Sequence, residues 1–277
     1  YACQITEWVK EAATIPVLVK LTPNVADIRY AARAATKGGA DGLSLINTIN
    51  SLMGVDLETL KVLPNVRGKS SHGGYCGPAV KPIALNMVAE IARSPETRGL
   101  PISGIGGVTT WRDAAEFMAL GAGNVQVCTA AMTYGFKVVQ EMISGLSQYM
   151  DDKGFASTAE LVGRAVPNVT DWQYLNLNYV TKARIDQELC IKCGRCYAAC
   201  EDTSHQAIWM KEGRVFEVNE AECVACNLCL DVCPVEACIT MRPLARGEVD
   251  QRTGRPVGDY ANWTTHPNNP MAVRAAE

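Results

Sequence analysis

The 277-residue chain is long enough for one large and one small domain, and 48% apolar residues with a mean hydropathy of −0.01 describe a protein with a sizeable buried core. A net charge of −3 and a pI near 5.7 give no electrostatic basis for binding nucleic acid or an anionic membrane. Twelve cysteines without a signal peptide point to a reducing, cytoplasmic compartment rather than a disulfide-stapled secreted fold.

The chain starts at Tyr1, not methionine, as expected of a segment of a longer polypeptide. Residues 4–14 place Ile5, Trp8, Val9 and Ala12 at helical spacing, and Pro16 ends the pattern. Val17 to Thr22 reads as a buried parallel strand, Ala26 to Thr36 as a helix closed by Gly38-Gly39, and Gly42 to Thr48 as a second strand. Residues 50–78 are rich in glycine and poor in regular signals, which predicts a lid or binding loop. Pro82 to Arg93 follows as a helix with Ile83, Met87, Val88 and Ile91 facing inward.

Pro101 to Gly107 is a third strand running into glycines, and Thr110-x-x-Asp113 is a capping box for the next helix. Asn124 to Thr129 is a fourth strand, followed by a helix to about Tyr149. The charge-free run from Phe117 to Phe136 has membrane-spanning length, but Gly121, Gly123, Asn124, Gln126 and Gly135 break it. Four β–α units in alternation imply an α/β fold with a parallel sheet. Polar or glycine residues gather at each strand's C-terminal end (Lys20, Asn47 and Thr48, Gly106 and Gly107, Cys128 and Thr129), where a (β/α)8 barrel carries its active site. Four units cannot close such a barrel, so either four more lie outside this sequence or the sheet is open.

Residues 151–185 are expected to link two parts, with Ser157-x-x-Glu160 capping a short helix and Trp172, Tyr174 and Tyr179 packing on the first domain. Two cysteine runs then share the spacing C-x2-C-x2-C-x3-C: Cys190, Cys193, Cys196 and Cys200, and, 33 residues on, Cys223, Cys226, Cys229 and Cys233. This is the spacing of bacterial two-cluster ferredoxins, in which three cysteines of a run wrap one 4Fe–4S cube and the fourth crosses to the other. It assigns Cys190, Cys193, Cys196 and Cys233 to one cluster, and Cys223, Cys226, Cys229 and Cys200 to the second. Zinc has no need of a third cysteine two residues on. Each run leads into a short apolar segment, Ala207-Ile208-Trp209 or Ala237-Cys238-Ile239, and residues 243–277 read as an extended tail.

Read alone, Cys3, Cys128 and Cys238 are simplest as core thiols, Cys76 as a loop thiol, and His205 and His266 as surface residues; His72 falls in the candidate lid.

Five stretches carry a family signature: Val-Lys-Leu-Thr-Pro-Asn (19–24), Asn-Thr-Ile-Asn (47–50), Gly-Gly-Tyr-Cys-Gly-Pro-Ala (73–79), Gly-Ile-Gly-Gly-Val (104–108) and Val-Gln-Val-Cys-Thr-Ala (125–130). With the cysteine runs behind them, they resemble the dihydroorotate dehydrogenase-like barrel and ferredoxin unit of the dihydropyrimidine dehydrogenase family. The resemblance implies the C-terminal half of a (β/α)8 barrel (strands 5–8, residues 1–150), a linker (151–185), a ferredoxin domain (186–242) and a tail (243–277). It implies FMN and two 4Fe–4S clusters, and reduction of the 5,6 double bond of uracil or thymine. Electrons would come from an NADH-oxidising FAD and iron–sulfur flavoprotein subunit within a hetero-oligomer.

By the same resemblance Lys20 lies near the flavin N1–C2=O edge, where a cation stabilises the reduced ring. Asn47 and Thr48 hold the pyrimidine. Gly77, Ile105, Gly106, Gly107, Cys128 and Thr129 surround the FMN, its phosphate in particular. The general-acid cysteine of the family falls upstream of Tyr1, which leaves the catalytic proton donor unassigned. Two alternatives keep part of this chemistry: a related oxidoreductase acting on dihydroorotate or another ring carbonyl, and a ferredoxin-type electron-transfer module without catalysis.

Overall fold

In the computed structural model of the chain, residues 1–175 and 179–258 are described. They divide into two compact units, the boundary falling between Val169 and Thr170. The first is organised by four parallel strands, Leu18–Leu21, Gly42–Leu45, Ile102–Ile105 and Asn124–Gln126, hydrogen-bonded in chain order. Helices Ile28–Lys37, Lys81–Arg93 and Trp111–Ala119 provide the crossovers. Their small residues let them lie close on the sheet: Ala32, Ala35, Ala84 and Ala114 are buried with Leu43, Leu45, Val88, Ile91 and Phe117. Lys81–Arg93 buries Ala84, Val88, Ala89 and Ile91; Ile83, expected inside, points outward because the buried stripe follows the 84/88/91 spacing.

Asp27 caps the Ile28–Lys37 helix through the Arg29 N–H. Both halves of the Thr110–Asp113 capping box form. Ser157 starts the Thr158–Leu161 helix without a side-chain cap bond. The long helix expected after the fourth strand is two, Thr129–Tyr134 and Lys137–Lys153, separated at Gly135, whose φ of 79° takes the backbone out of the helical region. Residues 50–78 are more ordered than their composition suggests. Ile49–Ser51 pairs with Gly73–Tyr75, and Gly54–Asp56 with Lys61–Leu63, as two antiparallel ladders. Their residues are at most half-buried, Ile49 packing against the core, and few of them are apolar, which is why no strong alternating apolar pattern marks them.

The stretch expected as a linker divides between the units. Leu161 packs with Ala115 and Met118 in the first, whereas Thr181–Ile185 is a strand of the second, paired antiparallel with Ile239–Pro243. Trp172, Tyr174 and Tyr179 are exposed rather than packed. The second unit adds the ladder Ile208–Lys211 with Val215–Val218 and two short helices, Arg195–Glu201 and Leu228–Asp231. The start of the presumed tail is folded: Val249–Asp250 and Arg255–Pro256 form a small hairpin. The remainder of the expected tail, residues 259–277 with His266, lies outside the described residues. Among the described residues no helix is long and apolar enough to cross a membrane.

Candidate functional site

Every strand of the four-stranded parallel sheet ends at the same cleft. Lys20, Asn47, Thr48, Gly77, Ile105, Gly106, Gly107, Cys128 and Thr129, the residues singled out from sequence, all line it. The geometry explains their convergence. In a parallel sheet the in-register residues Lys20, Ser44 and Ser103 share one face, and the chain leaves each strand toward the same side. Asn47 follows the second strand, its N–H bonded to Leu21 O at 2.8 Å, so the Lys20 and Asn47 strand ends are tied directly.

Asn24 fastens this corner further. Its Nδ2 donates to Thr48 O at 3.1 Å, and its Oδ1 accepts from the Asn50 N–H at 2.9 Å. Asn47 Oδ1 accepts from the Thr48 N–H at 2.9 Å, so its amide has one fixed orientation. The glycines form the opposite wall. Gly77, Gly106 and Gly107 have φ of 89°, 135° and 75°, a region costly for other residues. A Cβ on Gly107 would lie 2.8 Å from Gly77 O, so the two backbone segments approach as closely as they do only without side chains.

This wall is braced from behind. Lys81 Nζ donates to Asp113 Oδ1 at 2.6 Å and to Glu116 Oε2 at 2.9 Å. Asp113 Oδ2 accepts from the backbone and hydroxyl groups of Thr109 and Thr110, fixing the exit of the glycine loop. Burial raises the Asp113 carboxyl, but Lys81, Thr109 and the Thr110 N–H outweigh it and hold the group well below the ordinary carboxylate range.

Gln126 was not singled out as a site residue, yet it lines the cleft. Its Nε2 donates to Ser44 Oγ and Ser103 Oγ, both at 2.8 Å, and Ser103 Oγ donates to Asn124 Oδ1 at 2.5 Å. The signal for it is a polar residue flanked by Val125 and Val127 within an otherwise apolar strand. Cys128 is exposed, correcting its reading as a core thiol, because it follows the last residue of its strand. Cys76 is also exposed and accepts a hydrogen bond from Thr129 Oγ1 at 3.4 Å. His72 is exposed and Cys3 is half-buried, its thiol donating to Glu7 Oε1 at 3.2 Å.

In the second unit the eight cysteines fall around two cavities. Cys190, Cys193, Cys196 and Cys233 line one, together with the buried Cys238; Cys200, Cys223, Cys226 and Cys229 line the other, with half-buried His205 at its border. The two loops repeat one backbone pattern. Lys192 and Ala225 both have φ of 58°, and Gly194 and Asn227 have 80° and 69°, so each loop curls inward at the same two steps. The Ala207 N–H donates to Cys200 Sγ at 3.1 Å. Burial pushes the Cys229 thiol up to about 11 and the Cys238 thiol up to about 12. A ligand thiol placed as Cys229 is ionises readily only against a strong local positive charge, which iron would supply.

Two cations serve the loops. Arg214, exposed, donates to Lys192 O at 3.1 Å and Cys193 O at 3.2 Å. Lys182, 1% exposed, donates from Nζ to Cys223 O at 2.9 Å and pairs with Asp250 Oδ1 at 2.7 Å. Burial raises the Asp250 carboxyl, but its bonds from Lys182, the Arg252 N–H and the Thr253 hydroxyl hold it below the usual value.

Both units match families of known proteins. Residues 1–150 match the family model "Dihydroorotate dehydrogenase", and residues 183–241 match "4Fe-4S dicluster domain". The chain is 47% identical over 247 residues to the NAD-dependent dihydropyrimidine dehydrogenase subunit PreA of Escherichia coli K12, covering 89% of this chain and 59% of that protein. It is 42% identical over 170 residues (60% of this chain, 40% of the relative) to the chloroplastic dihydropyrimidine dehydrogenase (NADP(+)) of Arabidopsis thaliana. It is 43% identical over 164 residues (59% and 52%) to the catalytic subunit of dihydroorotate dehydrogenase B (NAD(+)) of Pyrococcus abyssi. The chain thus spans about three-fifths or less of the length of these relatives. Dihydroorotate dehydrogenases bind FMN, and a dicluster domain carries two 4Fe–4S clusters. With the strand-end cleft in one unit and the paired cysteine loops in the other, the chain belongs to the dihydroorotate dehydrogenase family and carries a 4Fe–4S dicluster domain behind it.

Proposed function

We propose that the chain is part of an iron–sulfur flavoprotein oxidoreductase that reduces the 5,6 double bond of uracil or thymine. Its electrons come from NADH through a partner flavoprotein subunit and the two clusters. The observation that carries this reading is the convergence of all nine sequence-selected residues on one cleft at the strand ends. The relatives favour pyrimidine reduction over dihydroorotate oxidation: identity to the pyrimidine enzyme subunit continues through the cysteine unit, 89% of the chain, whereas the dihydroorotate relative matches 59%.

The first unit is read as the C-terminal half of a (β/α)8 barrel. In support, both outer strands of the sheet, Leu18–Leu21 and Asn124–Gln126, have a neighbour on one side among the described residues. Leu18 of the first of these strands and, in the segment leading into it, Ile5, Trp8, Val9 and Ile15 are exposed, as apolar groups awaiting further strands would be.

FMN, when bound, supplies hydride chemistry to the ring. The chain's own residues then have distinct parts. Lys20 holds a positive charge beside the reacting edge, where negative charge develops. Asn47, oriented by the Thr48 N–H, and the Thr48 hydroxyl present hydrogen-bonding groups to the amide edges of the pyrimidine. Gly77, Gly106 and Gly107, free of side chains, leave backbone accessible to a phosphate, with Ile105, Cys128 and Thr129 completing the wall. Cys76 and Cys128 are given no part in proton transfer. Cys190, Cys193, Cys196 and Cys233 hold one cluster, and Cys223, Cys226, Cys229 and Cys200 the other, an assignment supported by the two cavities they border.

The test is cofactor content and spectrum after purification without oxygen, followed by substrate challenge. About eight irons per chain, bound FMN, and return of the oxidised flavin spectrum when uracil or thymine, but not orotate, is added to the reduced protein support the reading. Iron without FMN points to an electron carrier, and reoxidation by orotate alone reassigns the substrate.

A further inference from the structure

The two cysteine loops have the same backbone geometry but different electrostatic support. On the first loop, Arg214 sits in solvent, where its charge is screened. Beneath the second, Lys182 has no water to screen it: it is fully buried in the Thr181–Ile185 strand, and its ammonium is shared between Cys223 O and Asp250. Asp250 belongs to the small hairpin that follows Ile239–Pro243. A second contact fastens that hairpin to the same approach. Arg242 Nη1 donates to Glu248 Oε1 at 2.9 Å and Nη2 to Glu220 Oε1 at 3.0 Å, and Glu220 lies three residues before Cys223. The hairpin is therefore clamped at two points to the segment that opens the second loop.

A buried ion pair this close to a metal-binding loop costs desolvation that an apolar pair would avoid. Here its positive end faces the backbone of the cysteine loop and its negative end faces away, toward the hairpin. We propose that Lys182 and Asp250 form an electrostatic clamp that positions the Cys223 loop and sets the reduction potential of the second cluster independently of the first. Lys182 acts as a positioning residue, because it touches the carbonyl of Cys223 and not the sulfur. The pair is neutral as a whole. Removing the lysine leaves an anion beneath the loop and disfavours the extra electron; removing the aspartate charge leaves a cation and favours it.

The inference rests on the reading that Cys200, Cys223, Cys226 and Cys229 hold a cluster. Iron content and low-temperature EPR of the reduced wild-type protein test that reading first, independently of any variant. EPR-monitored redox titration of Lys182→Met and Asp250→Asn then tests the clamp. The expected result is a downward shift of the second cluster's potential in K182M and an upward shift in D250N, with the first cluster unmoved in both. Iron release to a chelator should also quicken from the second cluster alone. If K182M does not retain the second cluster, the upward shift in D250N carries the test. Shifts of the same sign in both variants, equal shifts of both clusters, or no shift with full iron content would reduce the pair to a structural contact and overturn the proposal.

Discussion

The cleft of the first unit and the cysteine loops of the second are built by opposite strategies. The cleft draws on groups spread from Lys20 to Thr129, which meet only because four parallel strands end on one side and Asn24, Lys81 and Asp113 brace the connections. The cysteine loops are mostly local. Three cysteines of each run lie within seven residues, and backbone steps at positive φ recur at equivalent places in both copies. Only the fourth cysteine is remote. A site of the first kind is expected to fail by loosening, and one of the second kind by losing a ligand.

The largest expected effect tests the local site. Cys200→Ser should abolish the cluster of the second run and Cys233→Ser that of the first, each lowering iron from about eight to about four per chain with FMN retained. If each serine instead removed the cluster of its own run, the crossed arrangement would fail. Next, Lys20→Met should weaken FMN retention and slow reoxidation of the reduced flavin by uracil about tenfold or more while iron stays constant. Loss of iron in that variant would show that the two sites are not separable.

Gly107→Ala places a methyl against Gly77 O on a backbone with φ of 75°. It should destabilise the first unit by about 1–3 kcal/mol and reduce FMN content, whereas Asn227→Gly, which relieves the same kind of strain in a cysteine loop, should leave iron unchanged. Denaturant unfolding with cofactor analysis measures both.

Asp113 probes the bracing of the cleft by pH. Its folded pKa is depressed, so its contribution is present above the ordinary carboxyl value of about 4 and is lost as pH falls through the lower folded value. Asp113→Asn should cost about 1–3 kcal/mol at neutral pH and flatten the acid limb of the stability curve followed by circular dichroism. An unchanged acid limb would exclude Asp113 as its source. The smallest effect belongs to Arg214→Ala: an exposed guanidinium contributes less than about 1 kcal/mol, and thermal unfolding of the holoprotein should shift by only a few degrees.

How far the sequence is legible follows the same division. The strands were readable because apolar runs ended in glycine or polar residues, and the Thr110–Asp113 box because its pattern is short-range. The inward face of Lys81–Arg93 was misplaced at Ile83 because Ala84, a weak apolar signal, takes the buried position in a helix pressed against the sheet. The ladders within residues 49–75 carry little amphipathic signal, since none of their residues is fully buried.

What the sequence determined by itself is the chemistry that depends on spacing and residue type: eight cysteines in two registered runs, a lysine at a strand end, and glycines where backbone must come close. Tertiary structure decided what depends on distant partners: the bonds of Gln126 to Ser44 and Ser103, the bracing of the glycine loop by Lys81 and Asp113, the exposure of Cys128, and the burial of Lys182 against Asp250. A local motif fixes dihedral angles and ligand order within a few residues. The dielectric around a charge and the partner of a buried polar group are set by segments that meet only when the chain folds.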